Sequence, residues 1–417
     1  MEVQKTLLAF LFAAVLPLAI SDRALGRFQA DLTQRSIDAN RKNNELMHVL
    51  YTVDSENDMD VALRASLYSV FKNAQDPGRL RFHFVVPQHR EAQALCDSIM
   101  RVALNQRVQE DSPEGPASIL ALRNTVPNYL RRKLPFPCVT GRSSAEAECI
   151  CSSLQFHVTI LENDQELYQK LASQVTMLEE IAPHMPTPPG GGKSKAAISK
   201  KRLGNIANFS RNAAPEFLRK LNVDKVIYLD ADTIVQADVA DLWNKRFEEG
   251  KHVMISQDCT VGKKDEFNTE SVLVQHIYKS AGQRHNCHFN SGVLVLDLVA
   301  LEKFKLSSRI ADVIKEHSRG PLRLWETGWQ QPPFVLAVYN QIQALDREWN
   351  LARLGAGFCG SDKNGRFSEA VLRRAHILHW SGARKPWLPN GCFKEFWTPY
   401  SSPATTDRTR GGEPGLL

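Results

Sequence analysis

The run Val226-Ile227-Tyr228-Leu229-Asp230-Ala231-Asp232 constrains this chain more than any other stretch. A segment of β-branched, aliphatic and aromatic residues without a charge reads as a strand buried on both faces, the mark of a parallel sheet. It ends abruptly in two carboxylates flanking one small residue, and ligands bind at the carboxyl ends of strands in open α/β sheets. A single Asp there is ordinary, because Asp also caps a following helix. Two of them hold like charges within several ångströms, and the repulsion raises one pKa unless a cation neutralises it. Hard oxygen donors suit Mg2+ or Mn2+, ions commonly shared between carboxylates and substrate phosphates. An Asp-x-Asp triplet alone is frequent by chance. This one gains meaning from its strand, and from the Thr233-Ile234-Val235 and Asp238-to-Trp243 segments that follow.

Upstream, Leu46 to Asp54 is a strand-like run ending in a carboxylate, and Val61, Leu63, Leu67, Val70 and Phe71 follow at helical spacing. A second strand, Leu80 to Val86, is closed by Pro87. Strand, helix and strand in succession make one βαβ unit, so the fold class expected is α/β with a parallel sheet. Gln155 to Leu161 supplies a third strand. Residues from about 101 to 153 lose this pattern and read as an irregular insertion before that strand; Cys149-Ile150-Cys151 has the wrong spacing for a zinc knuckle. Residues from about 183 to 204, rich in Pro, Gly and Lys, read as a flexible loop, and 401–417 as a disordered tail.

With 43% apolar and 24% charged residues, the 417-residue chain is neither disordered, collagen-like nor a multi-span membrane protein. Its net charge of +6, spread over this length, gives no reason to expect a nucleic-acid partner. At the amino terminus, the apolar run Thr6 to Ile20 follows Lys5 and reaches roughly 22 Å as a helix, short of a hydrocarbon core of about 30 Å. Residues 1–22 therefore read as a signal peptide or a short membrane anchor. Either places the protein in the secretory pathway, in the Golgi or endoplasmic reticulum lumen, soluble or membrane-associated through this segment. There Asn208-Phe209-Ser210 becomes a candidate glycan acceptor, and the eight cysteines meet an oxidising environment.

A second chemical signal closes the chain: His376-Ile377-Leu378-His379-Trp380-Ser381-Gly382-Ala383-Arg384-Lys385-Pro386-Trp387. His379 can offer a neutral nitrogen to a metal, Gly382 a close backbone approach to phosphate, and Lys385 a point charge for it. Each alone has a bland reading, as a core histidine, a turn glycine or a solvated lysine; the combination is what stands out. Between the two signals, His288-Phe289-Asn290-Ser291-Gly292 feeds the apolar run Val293 to Leu296. It reads as a loop-to-strand junction, or as a site where the Asn290 amide reaches sugar hydroxyls.

Taken in order, Thr52-Val53-Asp54, Asp230-Ala231-Asp232, Phe289-Asn290-Ser291-Gly292 and His379-x-x-Gly382-x-x-Lys385-Pro386-Trp387 resemble glycosyltransferase family 8. Pro332-Pro333-Phe334 and Asp346-Arg347-Glu348-Trp349-Asn350 most resemble its plant galacturonosyltransferase-like branch. The resemblance covers most of residues 45 to 400 and implies one large catalytic domain with a GT-A fold, a Rossmann-like, mostly parallel mixed sheet flanked by helices. It implies Mn2+ (or Mg2+) on Asp230, Asp232 and His379, and Lys385 on the diphosphate of a UDP-sugar donor. It further implies Thr52, Asp54 and Asn57 against the uridine, and Arg211 at the donor sugar or phosphate, although Asn212-Ala213-Ala214-Pro215 departs from the family pattern there. A glycan or polysaccharide is the acceptor implied, in cell-wall or matrix polysaccharide synthesis. Family members retain the anomeric configuration. Gln330 and Gln331 fall near the place of a bacterial glutamine beneath the sugar, while a same-face substitution assisted by the leaving phosphate is the other route. The resemblance points to a Cys259–Cys287 disulfide; Cys359 with Cys392 is a second pairing. Two other functional classes compete: a non-catalytic descendant serving as chaperone or scaffold, and a metal-dependent phosphohydrolase.

Overall fold

The central strands are apolar on both faces, and the architecture follows from what must cover them. The structure, a computed structural model, describes residues 45–53, 57–88, 92, 95, 138–140, 146–151, 154–181, 206–258, 267–280, 288–326, 328, 330–356, 359 and 367–401. Strand β1 (Met47–Thr52) is followed by helix α1 (Asn57–Asn73) and β2 (Leu80–Val86), the βαβ unit expected. Then come β3 (Cys138–Thr140), β4 (Glu146–Cys151), β5 (Leu154–Ile160) and helix α2 (Gln165–Ile181). Strands β6 (Lys225–Leu229), β7 (Thr233–Val235), β8 (Val253–Asp258), β9 (His288–Asp297), β10 (Ile342–Leu345) and β11 (Ile377–His379) complete the strands among the described residues.

The large sheet has the order β10-β8-β9-β6-β1-β2-β5-β4-β3, and β11 and β7 form a separate ribbon. β1 runs parallel to both β2 and β6, and β2 parallel to β5. β9 is antiparallel to its neighbours β6 and β8, and β4 to β3 and β5, so the sheet is mixed but mostly parallel. β3 and β4 lie within residues 101–153, the stretch expected to be irregular; antiparallel neighbours need no crossover helix, so a short meander can extend the β5 edge without an amphipathic pattern.

Alternation along the strands divides the core. Val49 and Tyr51, Ile227 and Leu229, Val293 and Val295 pack on one face with Leu63, Leu67 and Val70 of α1. Leu50, Val226 and Tyr228, Leu294 and Leu296 pack on the other with Leu171 and Leu178 of α2. Helices Leu306–Arg319 and Gln331–Val338 cover that second face. With both faces sealed, the carboxyl ends of β1, β2, β5 and β6 open on one edge, and the site lies there. The compact unit that carries it begins at Met47. No helix among the described residues is long and apolar enough to cross a membrane; residues 1–22, where the signal or anchor is expected, lie outside them. So do residues 183–204 and 402–417 and the cysteines at 259 and 287.

Away from that edge, His48 Nδ1 lies 2.8 Å from His83 Nε2 on adjacent strands. Burial, and then the Arg81 charge, lowers His48 to about 4. Burial, followed by His48 and His157, holds His83 well below the ordinary imidazole range. The unfolded chain binds protons at these histidines near pH 6.5 while the folded chain does not, so stability is greatest above that pH and falls as pH drops toward 4. Thermal melts are expected to show a melting temperature that declines across this window, as stability falls by at most about 1.4 kcal/mol per pH unit for each histidine. His48→Gln is expected to flatten the decline; a wild-type melting temperature independent of pH from 7 to 4.5 would contradict the assignment.

Candidate active site

Asp230 is the residue after β6, and Tyr228, two residues earlier, shares its face of the strand. The Tyr228 hydroxyl donates to Asp230 Oδ1 at 2.6 Å, and Thr52 Oγ1 lies 3.1 Å from the same hydroxyl. Burial pushes the phenol above its ordinary pKa, which keeps it a neutral donor. Arg211, from the 3-10 segment Ile206–Ala213, is only 2% exposed; its guanidinium sits 4.4 Å over the Tyr228 ring and its Nη2 lies 3.4 Å from Asp230 Oδ1. One oxygen of Asp230 is thereby engaged by the protein, and the other is left to the site.

The ribbon explains how a histidine so far along the chain reaches these carboxylates. β11 pairs antiparallel with β7 so that His379 is opposite Thr233, and Trp380 N–H donates to Asp232 O at 3.0 Å. His379 Nε2 consequently lies 3.2 Å from Asp232 Oδ1 and 3.6 Å from Asp230 Oδ2. Asp232 Oδ2 is bonded by the Lys385 ammonium, which also donates to Trp380 O at 2.8 Å. Burial alone would raise the Asp232 pKa; the Lys385 charge overcomes it and holds the carboxyl far below the usual range. Each aspartate has one oxygen tied to the protein and one facing the imidazole, and the ligand atoms of Asp230, Asp232 and His379 all lie within 4.8 Å of one another. Two hard carboxylate oxygens and one imidazole nitrogen fit Mn2+ or Mg2+, with coordination positions left for water or phosphate.

The floor of the site is an irregularity in β9. Ile255 pairs with Leu294 but Ser256 pairs with Asn290, which leaves Ser291–Val293 off the β8 ladder. Side chains supply what the ladder does not. Gln331 Nε2 donates to Phe289 O at 2.8 Å, Ser291 N–H donates to Gln331 Oε1 at 3.0 Å, and Arg211 Nη1 donates to Ser291 O at 2.6 Å. Gly292 N–H donates to Asn290 Oδ1 at 3.0 Å, and Asp230 N–H to Gly292 O at 2.7 Å. A Cβ on Gly292 would lie 2.7 Å from both Asp230 Oδ2 and His379 Nδ1, and closer still to His379 Cε1. Only glycine lets strand, carboxylate and imidazole meet here.

Of the residues expected at the site, the structure brings Asp230, Asp232, His379 and Lys385 together directly. Thr52 and Arg211 sit one layer back, both bound to the Tyr228–Asp230 pair instead of open space. Asn290 Oδ1 accepts from Gly292 N–H and from Asn350 Nδ2, so it props the bulge and does not offer an acceptor to a sugar. The Gln331 amide is committed to β9 at both ends, while Gln330 stands half-buried just before the helix Gln331–Val338. Asp54 lies outside the described residues, and Asn57 opens α1. Gly382, at φ +117°, packs on Gly355, where a Cβ would come to 2.5 Å, so its glycine serves a backbone crossing. The same crossing bonds Arg384 N–H to Gly355 O at 2.9 Å, and a Cys359–Cys392 disulfide closes the loop around Lys385. Tyr228, Gly292 and Asn350 have roles that the sequence reading did not single out. The available signals were a tyrosine two residues before the first aspartate and a glycine at the head of an apolar strand.

Gly292→Ala is expected to weaken Mn2+ binding at least about tenfold, because the added methyl group strikes the Asp230 carboxylate and the His379 ring and displaces both. Titration of the metal-free protein with MnCl2, followed by electron paramagnetic resonance of free Mn2+, measures it. Unchanged affinity would contradict the packing described.

The sequence matches the model of glycosyl transferase family 8 over residues 61–391. It is 27% identical over 230 residues to glycosyltransferase 8 domain-containing protein 1 of Danio rerio, covering 52% of this chain and 61% of that protein. It is 30% identical over 220 residues to probable galacturonosyltransferase-like 3 of Arabidopsis thaliana, covering 50% of this chain and 59% of that one. The matched region thus falls short of two thirds of either relative's length. Among solved structures, the apo bifunctional glycosyltransferase WbbM superposes with a TM-score of 0.48 at 13% identity, over 86% of this chain and 50% of that chain. With a family match spanning well over half its residues, the chain belongs to glycosyl transferase family 8.

Proposed function

We propose that the protein transfers a glycosyl group from a UDP-sugar to a glycan or polysaccharide acceptor, with retention at the anomeric carbon and dependence on Mn2+ or Mg2+. The observation that carries this reading is the convergence of Asp230, Asp232 and His379 with Lys385 beside them. Asp230 Oδ2, Asp232 Oδ1 and His379 Nε2 would hold the ion. When bound, it supplies positive charge to the diphosphate that departs from the sugar. Lys385 is fixed by Asp232 and Trp380 O in a loop closed by the Cys359–Cys392 disulfide, so its ammonium is in place before charge develops on the leaving oxygens. Arg211 and Tyr228 fix the Asp230 carboxylate. The Gln331 amide is consumed by β9, which supports same-face substitution over attack by that glutamine.

The relatives named galacturonosyltransferase-like make UDP-galacturonic acid the first donor to test. A uronate carboxylate needs a cation, and Arg211 is already spent on Asp230 and Ser291. The disulfide supports a secretory lumen, Golgi or endoplasmic reticulum. UDP-galacturonic acid, UDP-glucuronic acid, UDP-xylose, UDP-glucose and UDP-galactose, each incubated with MnCl2 and oligosaccharide acceptors, form the test. One donor is expected to turn over, with activity lost to EDTA and restored by Mn2+. UDP binding without transfer from any donor would favour the scaffold reading, and free sugar without acceptor product a hydrolase.

Asp232→Asn keeps the side chain's shape but removes its charge. It is expected to lower turnover at least about a hundredfold. It is also expected to lower the melting temperature, because Lys385 loses its buried partner. Wild-type turnover in this variant would remove Asp232 from the site.

A further inference from the structure

Asn350 ends the short turn Arg347–Asn350, is 2% exposed, and has no part in the chemistry above. Its amide nitrogen donates to Asn290 O at 3.1 Å and to Asn290 Oδ1 at 2.8 Å, and its amide oxygen lies 3.0 Å from His379 Nδ1. Which way this amide points is settled by its neighbours. A main-chain carbonyl only accepts, so the group facing Asn290 O is the NH2. The group facing His379 is then an acceptor, and the proton of the imidazole belongs on Nδ1. Nε2 is left with its lone pair, aimed between Asp230 Oδ2 at 3.6 Å and Asp232 Oδ1 at 3.2 Å. Histidine free in water favours the opposite tautomer, so the protein has to impose this one.

We propose that Asn350 is a positioning residue that locks His379 as its Nδ1–H tautomer and so reserves Nε2 for a divalent cation; this rests on the reading of Asp230, Asp232 and His379 as the metal site. The lock is anchored on both sides. Asn290 Oδ1 accepts from Gly292 N–H as well as from Asn350, which fixes the amide chain to the β9 bulge. The next residue, Leu351, accepts the backbone N–H of His379 at 3.1 Å, so adjacent residues hold both the main chain and the ring of the ligand. Metal-ligating histidines generally donate their second N–H to a carbonyl or carboxylate, and removing that partner costs about 10- to 100-fold in affinity.

Long-range 1H–15N correlation spectra of the full chain, metal-free and labelled at histidine, test the lock, with His379→Gln identifying the signal. The expected result, at a pH where the ring carries one proton, is that proton on Nδ1 and a bare Nε2 on His379 in the wild type; the proton on Nε2 overturns the proposal. Asn350→Leu is expected to move the proton to Nε2 and to weaken Mn2+ binding about 10- to 100-fold, measured with MnCl2 in the presence of UDP. Wild-type affinity and an unchanged spectrum in a folded Asn350→Leu overturn it. If that variant does not fold, the wild-type spectrum alone decides. Sugar transfer enters neither readout: a chain that shows the tautomer and binds Mn2+ but transfers nothing overturns the proposed function and leaves this inference standing, whereas a wild type that takes up no Mn2+ overturns both.

Discussion

Two carboxylates separated by a single alanine repel one another, and the active edge is organised around compensating that repulsion. In the protein alone the compensation comes from opposite sides: Arg211, stacked on Tyr228, pairs with Asp230, and Lys385 pairs with Asp232. Neither cation stands between the aspartates. The space between their remaining oxygens is bordered by the His379 ring, whose Nε2 lies 3.2 Å from Asp232 Oδ1. Such an arrangement offsets the charge of both acids without blocking the position that a divalent ion and a diphosphate would share. It also divides labour along the chain: the partner of Asp230 comes from the segment before β6, and the partner of Asp232 from the segment after β11.

The geometry that permits this is paid for in hydrogen bonds by side-chain amides. Where β9 leaves the β8 ladder, its peptide groups are met by Gln331, Arg211 and Asn350 in place of a neighbouring strand. Buried main-chain groups left unmet would cost about 1–3 kcal/mol each, so these amides are a condition of the bulge. The bulge in turn places Gly292 where any larger residue would strike Asp230 and His379.

Much of this was legible in the sequence. The first βαβ unit, the β6 run and its terminal acids follow from apolar periodicity, which is strong wherever strands are buried on both faces. His379 and Lys385 were legible as a compact local pattern, although nothing in the spacing told that β11 would lie against β7. The supporting layer was not legible, for a physical reason. Thr52, Arg211, Asn290 and Gln331 are polar residues with partners up to 176 positions away, and a sequence shows that a side chain can bond without showing to what. The resemblance implies donor contacts for Thr52, Arg211 and Gln331, and Asn290 reads as a junction or a sugar contact; in the structure Thr52 Oγ1, the Arg211 guanidinium, Asn290 Oδ1 and the Gln331 amide all bond to the protein. The β3–β4 edge escaped notice because a short antiparallel meander carries little periodicity.

The central claim is that Asp230, Asp232 and His379 bind one metal ion together. Crystals grown with UDP and MnCl2, with diffraction collected at the manganese absorption edge, test it most directly. The account requires a single anomalous peak within about 2.5 Å of an oxygen of each aspartate and of His379 Nε2. A peak elsewhere, or a nucleotide bound at this edge with the three side chains uncoordinated, would contradict it.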